Sequence, residues 1–306
     1  METRKIGSLD VSVVGLGCNN FGRRLDAAQS AVVVDAALDA GINFFDTADS
    51  YGGGQSEEFI GRALGPRRNA VVIATKFGSR MEGQGSGASA AYVRQACEAS
   101  LRRLGTDHID LYQLHRPDPQ VPIAETLGAL DELVRAGKVR EIGCSNFSAE
   151  QIREAEAAQA GGARFVSVQN EYSLLKRDAE RDVLPECERA GIMFLPYFPL
   201  ASGLLTGKYR RGQPAPSGSR LAGGGRADQL SDQNLAIVEE LIQFAEARGH
   251  TILELAVSWL LARPVVASVI AGATKPEQVH ANAAAGQWRL TADELGEIDR
   301  IMGWKA

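Results

Sequence analysis

Short apolar runs alternate along the chain with longer stretches in which apolar residues recur every three or four positions. The short runs read as strands at residues 15–18, 42–46, 71–75, 109–114, 139–144, 165–169, 192–196 and 266–271. The second, third, sixth and seventh are apolar runs, as strands covered on both faces should be. The longer stretches follow the helical period. In 91–104 the stripe is Val93, Cys97, Leu101 and Leu104; in 122–136 it is Ile123, Leu127, Leu130 and Val134. Ser148 with Gln151, Thr251 with Glu254, Thr274 with Glu277 and Thr291 with Glu294 have capping-box spacing. In such a box a hydroxyl and a carboxylate or amide satisfy the free N–H groups of a helix start. Gly41, Gly65, Gly105, Gly137 and Gly191 stand where helices should end, because glycine takes the left-handed cap conformation without penalty.

Eight strand–helix units with no long linker predict an α/β fold, a (β/α)8 TIM barrel forming one domain over 1–306. Residues 4–6 and 11–14 read as an N-terminal β-hairpin. Helices at 234–248 and 252–262 put one extra helix before the eighth strand, and 293–302 adds another at the C-terminus. Two Gly/Ser-rich stretches, 78–89 and 210–232, each follow a strand. Both therefore belong to the C-terminal face, where a barrel carries its active site.

Charge narrows the choice of partner. Lys plus Arg number 33 against 38 Asp plus Glu, a formal net charge of -5. A nucleic-acid binder needs a basic face, and an anionic membrane surface attracts basic segments, so neither partner is expected. Cys18, Cys97, Cys144 and Cys187 have no metal-ligand spacing, so no metal site is expected, and scattered thiols suit a reducing compartment. The N-terminus has no signal-like apolar stretch, and no apolar run approaches the ~20 residues that span a bilayer. The expectation is a cytoplasmic protein acting on a small molecule, with its oligomeric state open.

Candidate chemistry gathers at the strand ends. The second strand ends in Asp46, followed by Tyr51; Lys76 directly follows the third and His115 the fourth. Neighbouring strands lie ~4.8 Å apart, so these groups share one patch of rim. A phenol is a poor proton donor or acceptor at neutral pH, an adjacent ammonium favours its phenolate, and a carboxylate keeps that ammonium charged. A neutral imidazole can orient a carbonyl oxygen. Each residue alone has a structural explanation as a cap or loop residue. Together they suit protonation of a developing alkoxide, as carbonyl reduction requires.

The segments that carry these residues resemble one known family. Asp46-Thr-Ala-Asp-Ser-Tyr51-Gly, Thr75-Lys76-Phe-Gly and Gln113-Leu-His115-Arg-Pro-Asp are similar to the signature of the aldo-keto reductases. Gly143-Cys-Ser-Asn-Phe147, Gln169-Asn170-Glu-Tyr172, the run from Pro199 to Lys208 and the run from Ala271 to Asn282 continue it in order. The resemblance implies a barrel that binds a reduced nicotinamide and passes its hydride to a carbonyl carbon. It implies Tyr51 as general acid, tuned by Lys76 and Asp46, with His115 orienting the substrate. Ser145, Asn146 and Gln169 would hold the carboxamide, and Tyr197 would stack on the nicotinamide ring. Phe198, Pro199, Leu200, Ser202, Gly203 and Lys208 would meet the pyrophosphate. Gly272, Thr274, Lys275, Gln278 and Asn282 would take the adenosine end, with Thr274 capping a helix whose N-terminus attracts a phosphate. The pattern departs at Gln278, where some branches carry Arg, at Ala281, where others carry Glu or Gln, and at Phe198, where Ser is frequent. NADPH is the expected cofactor, with NADH the alternative.

Substrate choice is expected to lie in loops 116–121 and 202–232 and in the tail after Met302, with Asn19, Phe21 and Phe77 as pocket walls beside Tyr51 and His115. Two motifs compete. Gly15-x-Gly17 hints at a dinucleotide-binding turn, and Tyr172 with Lys176 has the Y-x-x-x-K spacing of short-chain dehydrogenases. Two further function classes compete with a reductase. One is a nicotinamide-sensing regulatory subunit, which His115 argues against. The other is a lyase using Lys76 as a Schiff base.

Overall fold

The first residues close the bottom of a barrel. Strands β1 (Thr3–Ile6) and β2 (Leu9–Ser12) pair antiparallel across a turn at Gly7, whose φ is +57°. Ile6, Leu9 and Val11 pack against Phe44, Val72, Ala74, Leu111, Leu195, Ala267 and Ile270, the inward-facing residues at the foot of the barrel strands. The computed structural model describes residues 1–304 apart from 82, 84, 160 and 223–226.

Eight parallel strands form a (β/α)8 TIM barrel: β3 (Val14–Gly17), β4 (Phe44–Asp46), β5 (Val72–Phe77), β6 (Ile109–Leu114), β7 (Val139–Ser145), β8 (Phe165–Glu171), β9 (Met193–Tyr197) and β10 (Val269–Gly272). From β3 to β9 each strand pairs with the next in sequence, and β10 pairs with β3. Between β9 and β10 the seam is closed by single bonds. Phe194 N–H donates to Val265 at 2.7 Å, and Ala267 N–H donates to Phe194 at 3.0 Å. The run expected as one strand at 266–271 therefore divides. Its first residues bond to β9, and the chain then crosses to pair with β3 as β10.

The helices surround this sheet: α1 (Ala27–Asp39), α2 (Gln55–Leu64), α3 (Ala90–Leu104), α4 (Ile123–Arg135), α5 (Ala149–Ala158), α6 (Val183–Ala190), α7 (Asp232–Glu246), α8 (Ile252–Leu261), α9 (Pro276–Ala284) and α10 (Ala292–Ile301). The extra helix before the last strand and the C-terminal helix are both present. The boxes at Ser148, Thr251 and Thr291 form, and a fourth, Asp26 with Gln29, escaped the sequence reading. Thr274 does not cap α9. Lys275 holds the N-cap position because Pro276 begins the helix, and Gln278 Oε1 accepts instead from Thr274 N–H (2.8 Å) and Oγ1 (3.1 Å). The five helix-ending glycines all have positive φ.

Two side-chain arrangements settle the competing motifs. A Cβ on Gly15 would lie 2.8 Å from the Phe44 ring, so that glycine serves close packing in the barrel. Tyr172 is buried, donating to Glu180 at 2.7 Å and accepting from Arg263, while Lys176 pairs with Asp178. Nearby, the Arg177 guanidinium lies between the rings of Trp259 (4.9 Å) and Trp304 (4.4 Å) and pairs with Glu180 and Asp299. Trp288 stacks on His250 at 4.1 Å. Among the described residues no helix is long and apolar enough to cross a membrane.

Candidate active site

Inward and outward positions alternate along β5, which fixes what each residue can do. Lys76 lies within the strand rather than after it and points into the barrel, fully buried. Its ammonium donates to Asp46 Oδ1 (2.8 Å), Asp46 Oδ2 (2.8 Å) and the Thr47 carbonyl (2.7 Å). Held protonated by this carboxylate, the amine has no lone pair to offer a Schiff base. Asp46 ends β4 and also accepts from Gln169 Nε2 at 2.8 Å.

Tyr51 opens a tight 3-10 turn, Tyr51–Gly54, in which Gly52, Gly53 and Gly54 all have positive φ. A Cβ on Gly52 would come within 2.9 Å of Gly22 Cα and the Phe21 carbonyl. Glycine therefore lets this turn press against the loop after β3, which aims the Tyr51 ring. Lys76 Nζ lies 5.2 Å from the centroid of that ring, and the His115 ring meets it edge-on at 6.0 Å. His115 directly follows β6, its N–H donating to Phe77 at 2.8 Å.

Electrostatics set the protonation states. Burial works against the charge on Lys76, but Asp46 and Tyr51 outweigh it and hold the ammonium above its ordinary pKa. Burial raises Tyr51 against the pull of Lys76, so the phenol keeps its proton. Lys76 does pull that pKa down, as the sequence leads one to expect, but desolvation exceeds the pull. Burial, then the charges of Lys76 and Arg116, push His115 down to about 3, so its ring is neutral. Its Nδ1 is buried with no partner among the described residues, leaving Nε2 as the nitrogen toward solvent. A neutral ring protonated there is a donor aimed at the cleft.

The cleft above these residues has a volume of about 660 Å³. Asp46, Tyr51, His115 and Asn19 line it, as do all the positions expected to hold a cofactor. At the ends of β7 and β8, Ser145 Oγ donates to the Gln169 carbonyl (2.7 Å), Asn146 Nδ2 donates to the His115 carbonyl (2.9 Å), and Tyr197 Oη donates to Asn146 Oδ1 (2.8 Å). After β9 come Tyr197, Phe198, Pro199, Leu200, Ser202, Gly203 and Lys208; after β10 come Gly272, Thr274, Lys275, Gln278 and Asn282.

This end fits a dinucleotide. The described non-glycine residues with positive φ are Asn146, Phe198, Ala201 and Ser202, all in or beside these loops. Such strain costs about 1–3 kcal/mol per residue and gathers at ligand clamps. Ser202 Oγ is buried without a partner among the described residues, and a Cβ on Gly203 would strike Lys208 Nζ at 2.8 Å. The glycine thus leaves room for an ammonium against a turn that can receive a phosphate.

Phe21 and Phe77 are not pocket walls. Both are fully buried in the hydrophobic core, and Phe77 stacks on Tyr112 at 4.7 Å. Phe77 follows inward-facing Lys76, so alternation turns it outward beneath the helices. Residues 216–220, within the loop expected to govern substrate choice, line the cleft, and so do Asn20 and Arg24, which no motif in the sequence marks. Arg24 donates to the Gly218 carbonyl (2.7 Å) and Arg220 to Asn20 Oδ1 (3.4 Å), tying 216–220 across the cleft mouth to the loop after β3.

A barrel with this tetrad at its C-terminal rim, and a dinucleotide-shaped cleft beside it, defines a class of nicotinamide-dependent oxidoreductase. The chain belongs to the aldo/keto reductase family, whose pattern it matches over residues 13–302. It is 37% identical over 305 residues to Aldo-keto reductase YhdN of Bacillus subtilis (strain 168), covering 96% of this chain and 91% of the relative. It is also 37% identical over 306 residues to Probable aldo-keto reductase 1 of Glycine max, covering 96% and 87%. The glycerol dehydrogenase AKR11B4 from Gluconobacter oxydans has a similar structure, with a TM-score of 0.86 and 33% identity over 98% of this chain and 95% of that one.

Proposed function

We propose that the protein reduces an aldehyde or ketone to the alcohol, with Tyr51 as the general acid and NADPH as the favoured reductant. The observation that carries this reading is the buried Asp46–Lys76 pair set against the Tyr51 ring, beside a neutral His115. A bound reduced nicotinamide supplies the hydride. His115 holds the carbonyl oxygen by donating a hydrogen bond. As negative charge grows on that oxygen, Tyr51 gives up its proton, and Lys76 favours the phenolate left behind. Asp46 keeps Lys76 charged throughout, so the stabilising charge is in place before reaction begins. Ser145, Asn146 and Gln169 would hold the nicotinamide carboxamide. The turn at Ser202 and Gly203 with Lys208 would hold the pyrophosphate. Lys275, at the start of α9, supports a 2′-phosphate there, which favours NADPH over NADH.

The test follows loss of NADPH absorbance with para-nitrobenzaldehyde. Wild type should turn over, and Tyr51→Phe should lose about 100-fold or more in kcat while still binding NADPH. Repeating the assay with NADH should give a lower kcat/KM. Binding of NADPH without turnover by wild type would favour a sensing subunit instead.

A further inference from the structure

Among the described residues, five basic side chains line the cleft: Arg24, Arg116, Lys208, Arg220 and Lys275. The one carboxylate among the described lining residues is Asp46, which Lys76 neutralises. The whole chain has a net charge of -5, so this concentration of positive charge is local. Four of the five belong to the dinucleotide end or to the segment that crosses the cleft mouth. Arg24 and Arg220 tie that segment down, and Lys208 and Lys275 follow β9 and β10.

Arg116 is different. It directly follows His115 at the end of β6, on the side where the carbonyl would sit. It is exposed, and no hydrogen bond or ion pair ties its guanidinium among the described residues. The nearest acid on its own loop is already committed. Asp118 Oδ2 accepts from Ala88 N–H at 3.0 Å and Oδ1 from Gln120 N–H at 2.9 Å. Arg116 is also close enough for its charge to help depress His115. A free guanidinium one residue from the carbonyl-orienting imidazole offers a planar fork that matches a carboxylate.

We propose that Arg116 sets specificity by anchoring the carboxylate of an acidic substrate, an aldehyde or ketone whose anionic group lies a few bonds from the carbonyl. This rests on the reductase reading above. His115 and Arg116 then grip the substrate at two points, one at the reacting oxygen and one at the anion. That fixes the carbonyl carbon against the hydride donor. A neutral carbonyl compound is held at one point alone.

The experiment compares 4-carboxybenzaldehyde with its neutral methyl ester at saturating NADPH, in wild type, Arg116→Gln, Arg116→Lys and the control Arg62→Gln on the outer face of α2. The expected result is a wild-type kcat/KM about 10-fold or more higher for the acid than for the ester, as a charge-assisted bond provides. That ratio should collapse toward one in Arg116→Gln, chiefly through KM for the acid, should recover in part in Arg116→Lys, and should persist in Arg62→Gln. Added salt should raise KM for the acid selectively. A wild-type ratio near one, or one that survives Arg116→Gln, overturns the proposal while leaving the reductase reading intact. No turnover of either compound by wild type overturns both.

Discussion

Two residues before Tyr51, Asp49 is 1% exposed, and no side chain among the described residues donates a hydrogen bond to its carboxylate. Burial, and then the charge of Glu57, raise its pKa to about 7 against the opposing pull of Arg103, the Ser50 N–H and Lys76. In the unfolded chain the group titrates near 4. Between these values the folded protein keeps a proton that the unfolded chain has lost. Stability therefore falls as pH rises from about 4 to about 7, by at most about 4 kcal/mol. Asp49→Asn should remove that loss, giving a higher urea midpoint than wild type at pH 8 and no gain at pH 4. Equal pH slopes for the two proteins would show that Asp49 ionises freely. Nothing in the sequence marks this residue, because burial comes from elements packed around it. Tyr51, Lys76, Asp46 and His115 were legible for the opposite reason, being complementary groups at neighbouring strand ends. The outward turn of Phe77 is hidden in the sequence because the apolar run stops at Thr75, whereas the strand continues through Lys76 to Phe77.

At the scale of elements, glycines do the positioning that strand order alone cannot. Gly52 has φ +60° and no room for a Cβ, whereas Gly53 has φ +67° and nothing within 4 Å. Gly52→Ala should lower kcat/KM about 10-fold or more by displacing the Tyr51 turn, and should cost about 1–3 kcal/mol of stability from strain. Gly53→Ala meets the strained φ alone and should keep most of the activity. Equal activities for the two variants would mean that contact with Gly22 does not aim Tyr51. The strands and helices were legible because their periods are strong. The ends were not, where tertiary partners decide them. Thr274 lost its expected cap once Pro276 began the helix, and residues 265–267 bond to β9 before the chain joins β3.

The barrel as a whole was readable from eight repeats of one alternation, and its bottom from a hairpin of apolar residues. The segment 216–220 is readable as part of a substrate-selecting loop, but its seat across the cleft mouth is not, because the bond that holds it joins Arg24 to a residue 194 positions away. Distant partners of this kind also hold the wall behind β8. The Arg177 side chain is 3% exposed and pairs with both Glu180 and Asp299. Arg177→Ala should cost about 1–3 kcal/mol, because Asp299 loses its partner while Glu180 keeps Arg263 and Tyr172, a loss readable as a lower midpoint of thermal unfolding. A change under about 1 kcal/mol would mean that the pairs are solvated and weak.

That same wall gives the molecule an optical property. The chain has three tryptophans, Trp259, Trp288 and Trp304, and none of them lines the cleft. Two flank the Arg177 guanidinium and the third stacks on His250. Intrinsic fluorescence therefore reports on the packing of α8 and the C-terminal residues, directly sensing neither Tyr51 nor Arg116. A variant in the cleft that keeps the wild-type emission spectrum has kept the packing of that wall, so its lost turnover comes from a change local to the cleft and not from global unfolding. A variant at Arg177 should shift the emission before it touches the rate.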